Sequence, residues 1–502
     1  MTPLRRMMSG PRLNTSTLHS AAKNVRLLGY DRAGMRSGIV HLGLGAFARA
    51  HLAEYTDDAL ARAPGDWGIT GVSLRRPHQR DRLAPQDGLY TAIQRDGSGA
   101  QARIIGCVQR VLVAREAPPA VVAAMADPAC RIVTLTVTEK GYCHDPASGR
   151  LDFAHPDITA DFAHPAAPRS AIGLIVAALE RRRAARLLPF TVVCCDNLPQ
   201  NGRLLARLVD EFARRRNAQL ADWIAAAGAF PSTMVDRIVP ATTDADIAAA
   251  SQAVGLLDLA VVVHEPFRQW VIEDRFVSTA RPAWEEVGAQ FVADVAPYEH
   301  MKLRVLNAAH SALAYLGYLS GRETIVEAVS DSILRRFVLD LWREEIIPVL
   351  TAPPGINLNA YSDRLMRRFE NPAILHRTWQ VAADGSQKLS QRLLDTIRER
   401  LVRQLPVTRL AHVIAAWIRY VGGIDEAAKP IDVRDPQAAA LRKTLDDAGQ
   451  APEERVAHVI ALKEIFGADL GDNSIFRAAV TEAYAAMLEH GVRDATLAQL
   501  AP

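Results

Sequence analysis

The amino-acid sequence predicts an α/β protein in which a doubly wound parallel sheet is followed by a mainly α-helical domain. In the first half of the chain, short β-branched runs alternate with alanine- and arginine-rich helical stretches, a pattern typical of parallel strands joined by helices. After about Pro297 the apolar residues follow helical periodicity and strand signals nearly vanish. The chain has 502 residues, 49% of them hydrophobic, which is enough for two such domains.

The individual elements follow from these two periodicities. β-branched runs predict buried strands at residues 38–42, 69–74, 132–137, 190–195 and 259–263. Helical spacing predicts helices at residues 48–63, 301–319, 325–349, 376–381, 389–404, 409–420 and 481–490. We expect a poorly ordered lead-in at residues 1–36, a first domain at 37–290 and a helical domain at 291–502.

Composition limits the classes of function. The net charge is +3 at pH 7, too small to indicate nucleic acid or an anionic membrane as the main partner. The five cysteines include no C-x-x-C pair, so neither a disulfide framework nor a cysteine zinc site is predicted. No signal peptide is recognised, and no apolar run reaches the roughly 20 residues of a membrane span. We expect a cytoplasmic protein without a bound metal, either a monomer or a weak homo-oligomer.

A glycine-rich turn joins the first predicted strand to the first predicted helix. Gly43 permits a tight turn, and Gly45 lets the backbone approach a pyrophosphate where Ala46 and Phe47 begin the helix. The third small position of the usual fingerprint holds Ala48 instead of glycine. A G-x-G is weak evidence alone, but its place between strand and helix favours a dinucleotide site over a plain turn. The first domain is therefore predicted to be Rossmann-like.

The end of the second strand leaves the choice of dinucleotide open. An acid at this point would bind the adenosine ribose of NAD. This strand ends instead in Arg75 and Arg76, which suit the additional phosphate of NADP. If these arginines are surface charges, Asp81 or another acid takes the ribose. We predict NAD as the cofactor, with NADP as the alternative.

Three polar side chains lie in an apolar helical segment at the start of the second domain. At about 100° per residue, Asn307 lies about 140° and His310 about 80° from Lys302 around the helix. Hydride transfer to a ketone needs a proton donor and hydrogen-bond donors for the developing alkoxide, and Lys302 and Asn307 can supply both. A lysine that extends to solvent and an asparagine bonded within the core explain the spacing equally well.

Ordered motifs across much of the chain resemble the long-chain polyol dehydrogenases, the family of mannitol dehydrogenase and fructuronate reductase. The likeness extends from about residue 37 to 405. The matching segments are residues 43–51, 67–74, 86–91 (QDGLYT), 138–142 (TEKGY), 195–202 (CDNLPQNG), 234–237 (MVDR), 265–267 (EPF), 298–310 and 384–388 (DGSQK).

The resemblance implies a metal-independent dehydrogenase with a lysine general acid/base. Lys302 takes that role, and Asn197 and Asn307 polarise the reacting oxygen. Glu299 lines a water path that carries the proton to and from Lys302. The side chains implied to contact substrate hydroxyls are His310, Asp236 and Lys388. Gly43 and Gly45 are implied to lie under the cofactor pyrophosphate, beside Ala46, Phe47 and Arg75, which the turn and the strand end already indicate. Asp236 paired with Arg237, and His310 as a core histidine, are the structural alternatives.

Two positions depart from the family's pattern, and the second bears on the substrate. Ala48 occupies a position where family members often have histidine, and Gln380 replaces an arginine that the mannitol enzymes tend to carry. The segment around Gln380 looks more like the fructuronate reductase branch, so we predict a keto-uronate in preference to fructose. A uronate needs a cation for its carboxylate, and Arg377 and Arg392 are the candidates.

Other classes of protein fit less well. Tyr298 and Lys302 match the Y-x-x-x-K signature of short-chain dehydrogenases, but there the motif lies within the Rossmann domain. A zinc alcohol dehydrogenase needs ligands around an open coordination position, whereas Cys194 and Cys195 are adjacent in a strand. A non-catalytic nicotinamide sensor would not need the proton-transfer group that Lys302 provides.

Overall fold

In the computed structural model, residues 10–145 and 148–500 are described. The chain divides into two compact units, Met1–Ala296 and Pro297–Pro502. The first unit contains the sheets, and the second is helical, so the predicted fold class is confirmed. Across the described ranges, no helix combines the length and apolar character needed to cross a bilayer.

The strands of the first unit are short, and several are entirely buried. They are β1 (Ile39–Leu42), β2 (Ile69–Ser73), β3 (Tyr90–Asp96), β4 (Gly99–Ile105), β5 (Val108–Val113), β6 (Ile132–Leu135), β7 (His144–Asp145), β8 (Arg150–Leu151), β9 (Thr191–Cys194), β10 (Thr233–Asp236), β11 (Val262–His264), β12 (Gln269–Glu273) and β13 (Gln290–Val292).

A five-stranded parallel sheet organises the first unit. Its strands lie in the order β5-β2-β1-β6-β9, and each neighbouring pair is parallel. β1 is central because Ile39 faces Ile69 of β2 on one side and Ile132 of β6 on the other. All four residues of β1 are buried, as expected for a parallel sheet covered on both faces. The carboxyl ends of β1 and its neighbours therefore lie along one edge.

Smaller sheets surround this core. β3 and β4 form an antiparallel hairpin with β11 added in parallel, and β10, β12 and β13 form a second three-stranded sheet. The strand predicted at residues 259–263 is therefore wrong as a member of the large parallel sheet. Its apolar run continues to His264, where Val262–His264 pairs with β3. A buried apolar run indicates a strand but does not indicate its partner.

Helices cover the sheets and make up the second unit. Those of the first unit are α1 (Ala46–Ala50), α2 (Leu52–Arg62), α3 (His78–Leu83), α4 (Pro118–Ala126), α5 (Pro156–Ala163), α6 (Ala171–Ala184), α7 (Asn201–Arg216), α8 (Ala218–Ala227) and α9 (Asp244–Val254). Those that follow are α10 (Ala296–Met301), α11 (Ala308–Leu319), α12 (Ile325–Ser330), α13 (Ser332–Asp340), α14 (Leu358–Phe369), α15 (Thr378–Ala382), α16 (Gly385–Leu389), α17 (Asp395–Val402), α18 (Thr408–Val421), α19 (Ala438–Asp447), α20 (Pro452–Ile460), α21 (Lys463–Gly471), α22 (Ser474–His490) and α23 (Val492–Ala498).

Residues 10–36 differ from the disordered lead-in predicted for residues 1–36, whose first nine residues lie outside the described part of the chain. Leu13 and Val25 are buried in a cluster with Leu89 and Ile104. Leu13 N–H also donates to the carbonyl of Leu257 at 2.9 Å. The polar composition of this segment predicted disorder. The few apolar side chains in it nevertheless attach it to the first unit.

The second unit has a single core centred on α18. This helix packs against α11 and α22, and apolar residues on all its sides are buried, Trp417 and Tyr420 among them. A helix that is apolar all round is typical of the interior of a bundle. Three π-helical segments interrupt the surrounding α-helices: π1 (Lys302–Asn307), π2 (Leu341–Ile346) and π3 (Ser390–Leu394).

Candidate active site

Gly43 forms the turn at the end of β1. Its φ is +91°, and a Cβ at this position would lie 2.2 Å from the carbonyl oxygen of Thr136. Its N–H donates to the carbonyl of Val72 at 2.8 Å, and the Thr136 hydroxyl donates to the Gly43 carbonyl at 2.8 Å. Only glycine satisfies both the left-handed backbone and the close approach, so the predicted role of Gly43 in the turn has a direct physical basis.

Gly45 lies where the chain enters α1, and its surroundings are open. The nearest atom to a Cβ built there is the Gly43 carbonyl oxygen, at 3.8 Å. Ala46 and Phe47 begin the helix and are partly exposed, whereas Ala48 is buried in the core. Nothing in the neighbouring protein requires glycine at position 45. A glycine with open space before it fits a backbone that approaches a ligand, such as a dinucleotide phosphate.

His41 anchors this turn, a role that sequence reasoning missed. Its Nδ1 lies 2.8 Å from the hydroxyl of Thr134, and its Nε2 lies 2.9 Å from that of Thr136. Burial lowers the pKa of His41 to about 4, so the ring is neutral at physiological pH. His41 lies two residues before Gly43 in the sequence. The two hydroxyls that contact its ring belong to β6 and to the residue that directly follows β6.

The helix predicted at residues 48–63 is divided at His51. This residue has φ −127° and ψ −83° and separates α1 from α2. Its Nε2 lies 2.8 Å from the Gln269 carbonyl oxygen, and its ring stacks on Phe47 with centroids 4.9 Å apart. The break holds the short helix after the glycine turn against β12.

Arg75 follows β2, as predicted, and its side chain is 64% exposed. Its guanidinium lies 3.9 Å from the carboxylate of Asp157, which Arg115 also approaches at 3.5 Å. Asp81, the alternative ribose acid, accepts from Arg80 at 2.8 Å. An exposed arginine at this strand end is compatible with the additional phosphate of NADP.

Asn197 is exposed and lies in a loop after β9. Hydrogen bonds hold the residues on both sides of it. The preceding Asp196 accepts hydrogen bonds from the Val137 N–H at 2.8 Å and from the Tyr142 hydroxyl at 2.7 Å. Asn201 then donates to the Asp196 carbonyl at 2.9 Å. The matching motif at residues 195–202 thus fixes the backbone on both sides of Asn197.

Asp236 is the last residue of β10 and is buried. The adjacent Arg237 pairs with Glu54 of α2 at 2.8 Å and donates to the Glu265 carbonyl at 3.2 Å. Arg268 also pairs with Glu54, at 3.1 Å. These buried ion pairs attach the end of β10 to α2 and so fix the backbone that carries Asp236.

In the second unit, Lys302 and Asn307 are the first and last residues of π1, and both are buried. The Ala308 N–H donates to the Leu303 carbonyl, five residues back. In a helix with i→i+5 bonds, residues five apart lie about one turn from each other. Asn307 therefore projects close to the direction of Lys302, and the angle of about 140° expected for an α-helix is wrong. π-Helical turns are frequent at functional sites.

Two polar atoms beside Lys302 are buried without a hydrogen-bond partner in the described part of the chain. They are Nδ2 of Asn307 and Nε2 of His310. The His310 ring packs on Phe369 with centroids 4.7 Å apart and meets the edge of His376 at 5.2 Å. An unsatisfied buried polar group costs roughly 1–3 kcal/mol. Such atoms are therefore expected where a substrate completes the hydrogen bonding.

His310 lies in a positively charged environment. Burial lowers its pKa well below the ordinary value, and neighbouring positive groups, Arg392 and Lys302 among them, act in the same direction. Burial also lowers the pKa of His376 to about 4, and Lys388 adds to that effect. Both imidazoles are therefore neutral at physiological pH, so each ring carries one N–H donor and one acceptor nitrogen.

The other predicted site residues of the second unit are Glu299, Lys388 and Arg377. Glu299 is buried in α10. Lys388 donates to the Ala383 carbonyl at 2.6 Å and lies 3.5 Å from Asp384. Arg377, in contrast, pairs with Glu323 at 2.6 Å, and the side chain of that acid is 75% exposed. No described contact brings Arg377 to Lys302 or His310.

Comparisons with known proteins identify the family of both units. Residues 37–286 match the mannitol dehydrogenase Rossmann domain, and residues 294–488 match the mannitol dehydrogenase C-terminal domain. The chain belongs to the mannitol dehydrogenase family. Within the family, it is 46% identical to the D-mannonate oxidoreductase of Escherichia coli K12, covering 93% of this chain and 97% of that protein.

Two mannitol 2-dehydrogenases of the family are also similar. The chain is 41% identical to that of Phaeosphaeria nodorum, covering 98% of this chain and 86% of the relative. The structure of the Pseudomonas fluorescens enzyme, a ternary complex with NAD and D-mannitol, superposes with a TM-score of 0.89 at 39% identity. That match covers 97% of this chain and 99% of the other.

Proposed function

We propose that the chain transfers a hydride between NAD(H) and a keto-uronate, with D-fructuronate and D-mannonate as the expected pair. Its general class follows from family membership: it is an NAD-dependent oxidoreductase that acts on the CH–OH group of polyols or sugar acids. The 46% identity to a D-mannonate oxidoreductase and the cationic surroundings of His310 support the uronate, because an anionic substrate is favoured by a positive field.

The glycine turn supports the cofactor assignment. Gly43, Gly45, Ala46 and Phe47 would hold the pyrophosphate, since the turn requires glycine at position 43 and leaves open space before position 45. When bound, the nicotinamide supplies or accepts the hydride. Because of Arg75, NADP is the alternative cofactor. Initial rates measured with NADH and with NADPH will decide between the two.

Lys302 is the proposed general acid/base. During ketone reduction its ammonium group donates a proton to the carbonyl oxygen while Asn307 donates a hydrogen bond to the same oxygen. In the reverse direction the neutral amine removes the hydroxyl proton, which passes on by way of Glu299. Asn197 is the second proposed donor, and His310, Asp236 and Lys388 are proposed to bind substrate hydroxyls. This proposal is carried by the Asn307 Nδ2, which has no hydrogen-bond partner among the described residues and lies in a π-helix that begins at Lys302.

Initial rates test the reaction and its substrate together. NADH and NADPH are each combined with fructuronate, tagaturonate and fructose, and the change in cofactor absorbance is followed. We expect rapid reduction of a keto-uronate and weak reduction of fructose. Preference for fructose would instead favour a mannitol 2-dehydrogenase, the second candidate, which the TM-score of 0.89 supports. Absence of turnover with every pair would contradict the enzymatic proposal and favour a nicotinamide sensor.

Lys302→Ala tests the proton-transfer role. Loss of a positioned acid/base is expected to lower kcat by about 10²–10⁴-fold, with a partial return when small primary amines are added. Lys443→Ala is the matched control, since Lys443 is exposed on α19 and pairs with Asp447. Near wild-type turnover of Lys302→Ala at every pH would exclude the role.

A further inference from the structure

An extended segment between α18 and α19 contacts the DGSQK motif of the second unit. This segment, residues 432–435, belongs to no helix or strand. The Asp384 N–H donates to the Arg434 carbonyl at 2.8 Å. The carboxylate of Asp435 accepts from the Ser386 N–H at 2.8 Å and from the Ser386 hydroxyl at 2.5 Å. Three hydrogen bonds thus join the segment to the turn at which α16 begins.

Tertiary contacts, rather than local preference, define this turn. Asp384 has a φ of +57°, a left-handed conformation that few residues other than glycine adopt. Its own side chain does not cap α16, and the carboxylate of Asp435 supplies the acceptor instead. The next residue has to be glycine, because a Cβ on Gly385 would lie 2.5 Å from Nε1 of Trp417 and 2.6 Å from the Tyr315 hydroxyl.

The same turn contacts the ammonium group of Lys388. Its Nζ donates to the Ala383 carbonyl at 2.6 Å and lies 3.5 Å from Oδ2 of Asp384. Burial, and then the nearby ammonium group, lowers the pKa of His376. The His376 ring in turn meets the ring of His310, with centroids 5.2 Å apart. These contacts connect the turn to the histidine that is proposed to bind substrate.

We propose that Asp435 is a positioning residue for substrate binding, because it fixes the turn that holds Lys388. The inference rests on the proposed function, in which Lys388 binds a substrate hydroxyl, and adds a residue beyond the matching motifs. Without this carboxylate, the two donors of Ser386 lose their acceptor, so Asp384 relaxes from its left-handed conformation and the Ala383 carbonyl moves with it. The ammonium group is then displaced from the substrate. Asp435 thus acts on substrate affinity and not on the proton-transfer step.

A double-mutant cycle between Asp435 and Lys388 tests the proposal on the ketone that wild type reduces fastest. Asp435→Ala is expected to raise KM for this ketone about 10-fold, with less than about 3-fold change in kcat and an unchanged KM for NADH. In a Lys388→Met background the same substitution is expected to change KM less than about 2-fold, because its effect passes through the ammonium group. Asp435→Asn, which keeps an acceptor for the Ser386 N–H, should restore most of the affinity. Asp432→Asn is the matched control, since Asp432 is an exposed acid of the same segment.

The outcomes separate this inference from the proposed function. If Asp435→Ala lowers only the unfolding temperature, or if its effect on KM adds fully to that of Lys388→Met, the role of Asp435 alone is refuted. If Lys388→Met leaves KM unchanged, the proposed substrate contact of Lys388 fails and the inference fails with it. If wild type reduces fructose and no keto-uronate, the proposed substrate is wrong, and the cycle measured with fructose still decides the role of Asp435.

Should Asp435→Ala not fold, Ser386→Ala takes its place in the cycle. This variant removes one donor to the carboxylate and leaves the bond from the Gln437 N–H to Asp435, at 2.9 Å, in place. A rise in KM of about 3-fold that disappears in the Lys388→Met background is expected. An equal rise in both backgrounds would overturn the proposal.

Discussion

At the scale of single residues, Asn307 is a polar group whose hydrogen bonding the described protein leaves incomplete. Its Nδ2 is buried and lacks a partner there. We expect Asn307→Ala to lower kcat by about 10²–10³-fold, the effect of removing one donor to a developing oxyanion. Stability should not fall correspondingly, because the variant removes an unsatisfied donor from the interior. Steady-state kinetics and thermal unfolding of the same preparations check both statements.

Asn201→Ala is the contrasting variant for this prediction. The Asn201 side chain donates to the carbonyls of Asp196 and Thr233 at 2.9 Å and accepts from the Thr233 N–H. Its loss should lower the unfolding temperature as well as activity, since buried partners are left unpaired. If Asn307→Ala behaved in the same way, its role would be structural and the proposed contact with substrate would be refuted.

Residue types and their order along the helix were predictable from the sequence, and the missing partners were not. The order of Lys302, Asn307 and His310 along one helical segment follows from the sequence, whereas the approach of Asn307 to the direction of Lys302 depends on the π-helix. The incomplete hydrogen bonding of Asn307 depends on side chains distant in the sequence. The same limit applies to Arg377, whose partner Glu323 lies across an isolated bridge between Thr324 and Arg377. Sequence spacing therefore could not show that Arg377 is paired with an acid.

At the scale of elements, the π-helix π1 is the feature that no periodicity predicted. An apolar pattern at 3.6-residue spacing continues through it, so the sequence reads as one helix from 301 to 319. The i→i+5 bonding disturbs the regular carbonyl pairing, and Trp342 of π2 donates from Nε1 to the Val305 carbonyl at 2.9 Å. This bond joins two distant segments and is visible only in the folded chain.

Trp342→Phe is expected to lower kcat about 10-fold with little change in KM. Phenylalanine retains most of the ring but removes the indole donor to the Val305 carbonyl, which keeps only the Ala308 N–H. The weakened link to π2 is expected to favour a regular α-helical turn that rotates Asn307 away from Lys302. Loss of a buried bond of this kind costs about 1–3 kcal/mol of stability. The decisive readout is the pH profile of kcat, which should shift if the environment of Lys302 changes. Trp379→Phe is the control, because Trp379 stacks with Arg434 away from π1. An unshifted profile with a lower unfolding temperature would indicate a structural role only.

At the scale of the whole molecule, alternation of strands and helices was sufficient to predict both domains. It was insufficient for the small sheets, because β3, β4 and β11 pair through contacts that depend on tertiary position. The order β5-β2-β1-β6-β9 places β1 at the centre of the large sheet, with the glycine turn at its carboxyl end, where α/β proteins bind ligands. The glycine-rich motif thus coincides with a position that the topology alone identifies.

The chain as a whole buries several histidines in the neutral form, which determines its response to acid. Burial lowers the pKa of His412 to about 3, and that of His41 and His376 to about 4. An unfolded histidine titrates near 6.5. Between about pH 6.5 and 4 these histidines therefore bind more protons in the unfolded chain than in the folded one, and their contribution to the free energy of unfolding falls as the pH is lowered. The stabilisation is complete above pH 6.5 and is lost as the pH falls toward the folded pKa values.

The variant His412→Gln tests how much one of these histidines contributes to the proton uptake on unfolding. His412 lies on α18 with Nε2 3.0 Å from the Thr496 hydroxyl of α23, a contact that a glutamine amide can retain. At pH 5 the unfolded histidine is almost fully protonated and the folded one almost fully neutral, so unfolding takes up about one proton at this residue. Potentiometric measurement of proton uptake on transfer to concentrated urea should therefore give about one proton less for the variant. At pH 8 both states are neutral, and the difference should vanish. Equal uptake by both proteins at pH 5 would mean that His412 is already protonated in the fold, contradicting the neutral form that its burial beside Thr496 and Phe337 favours.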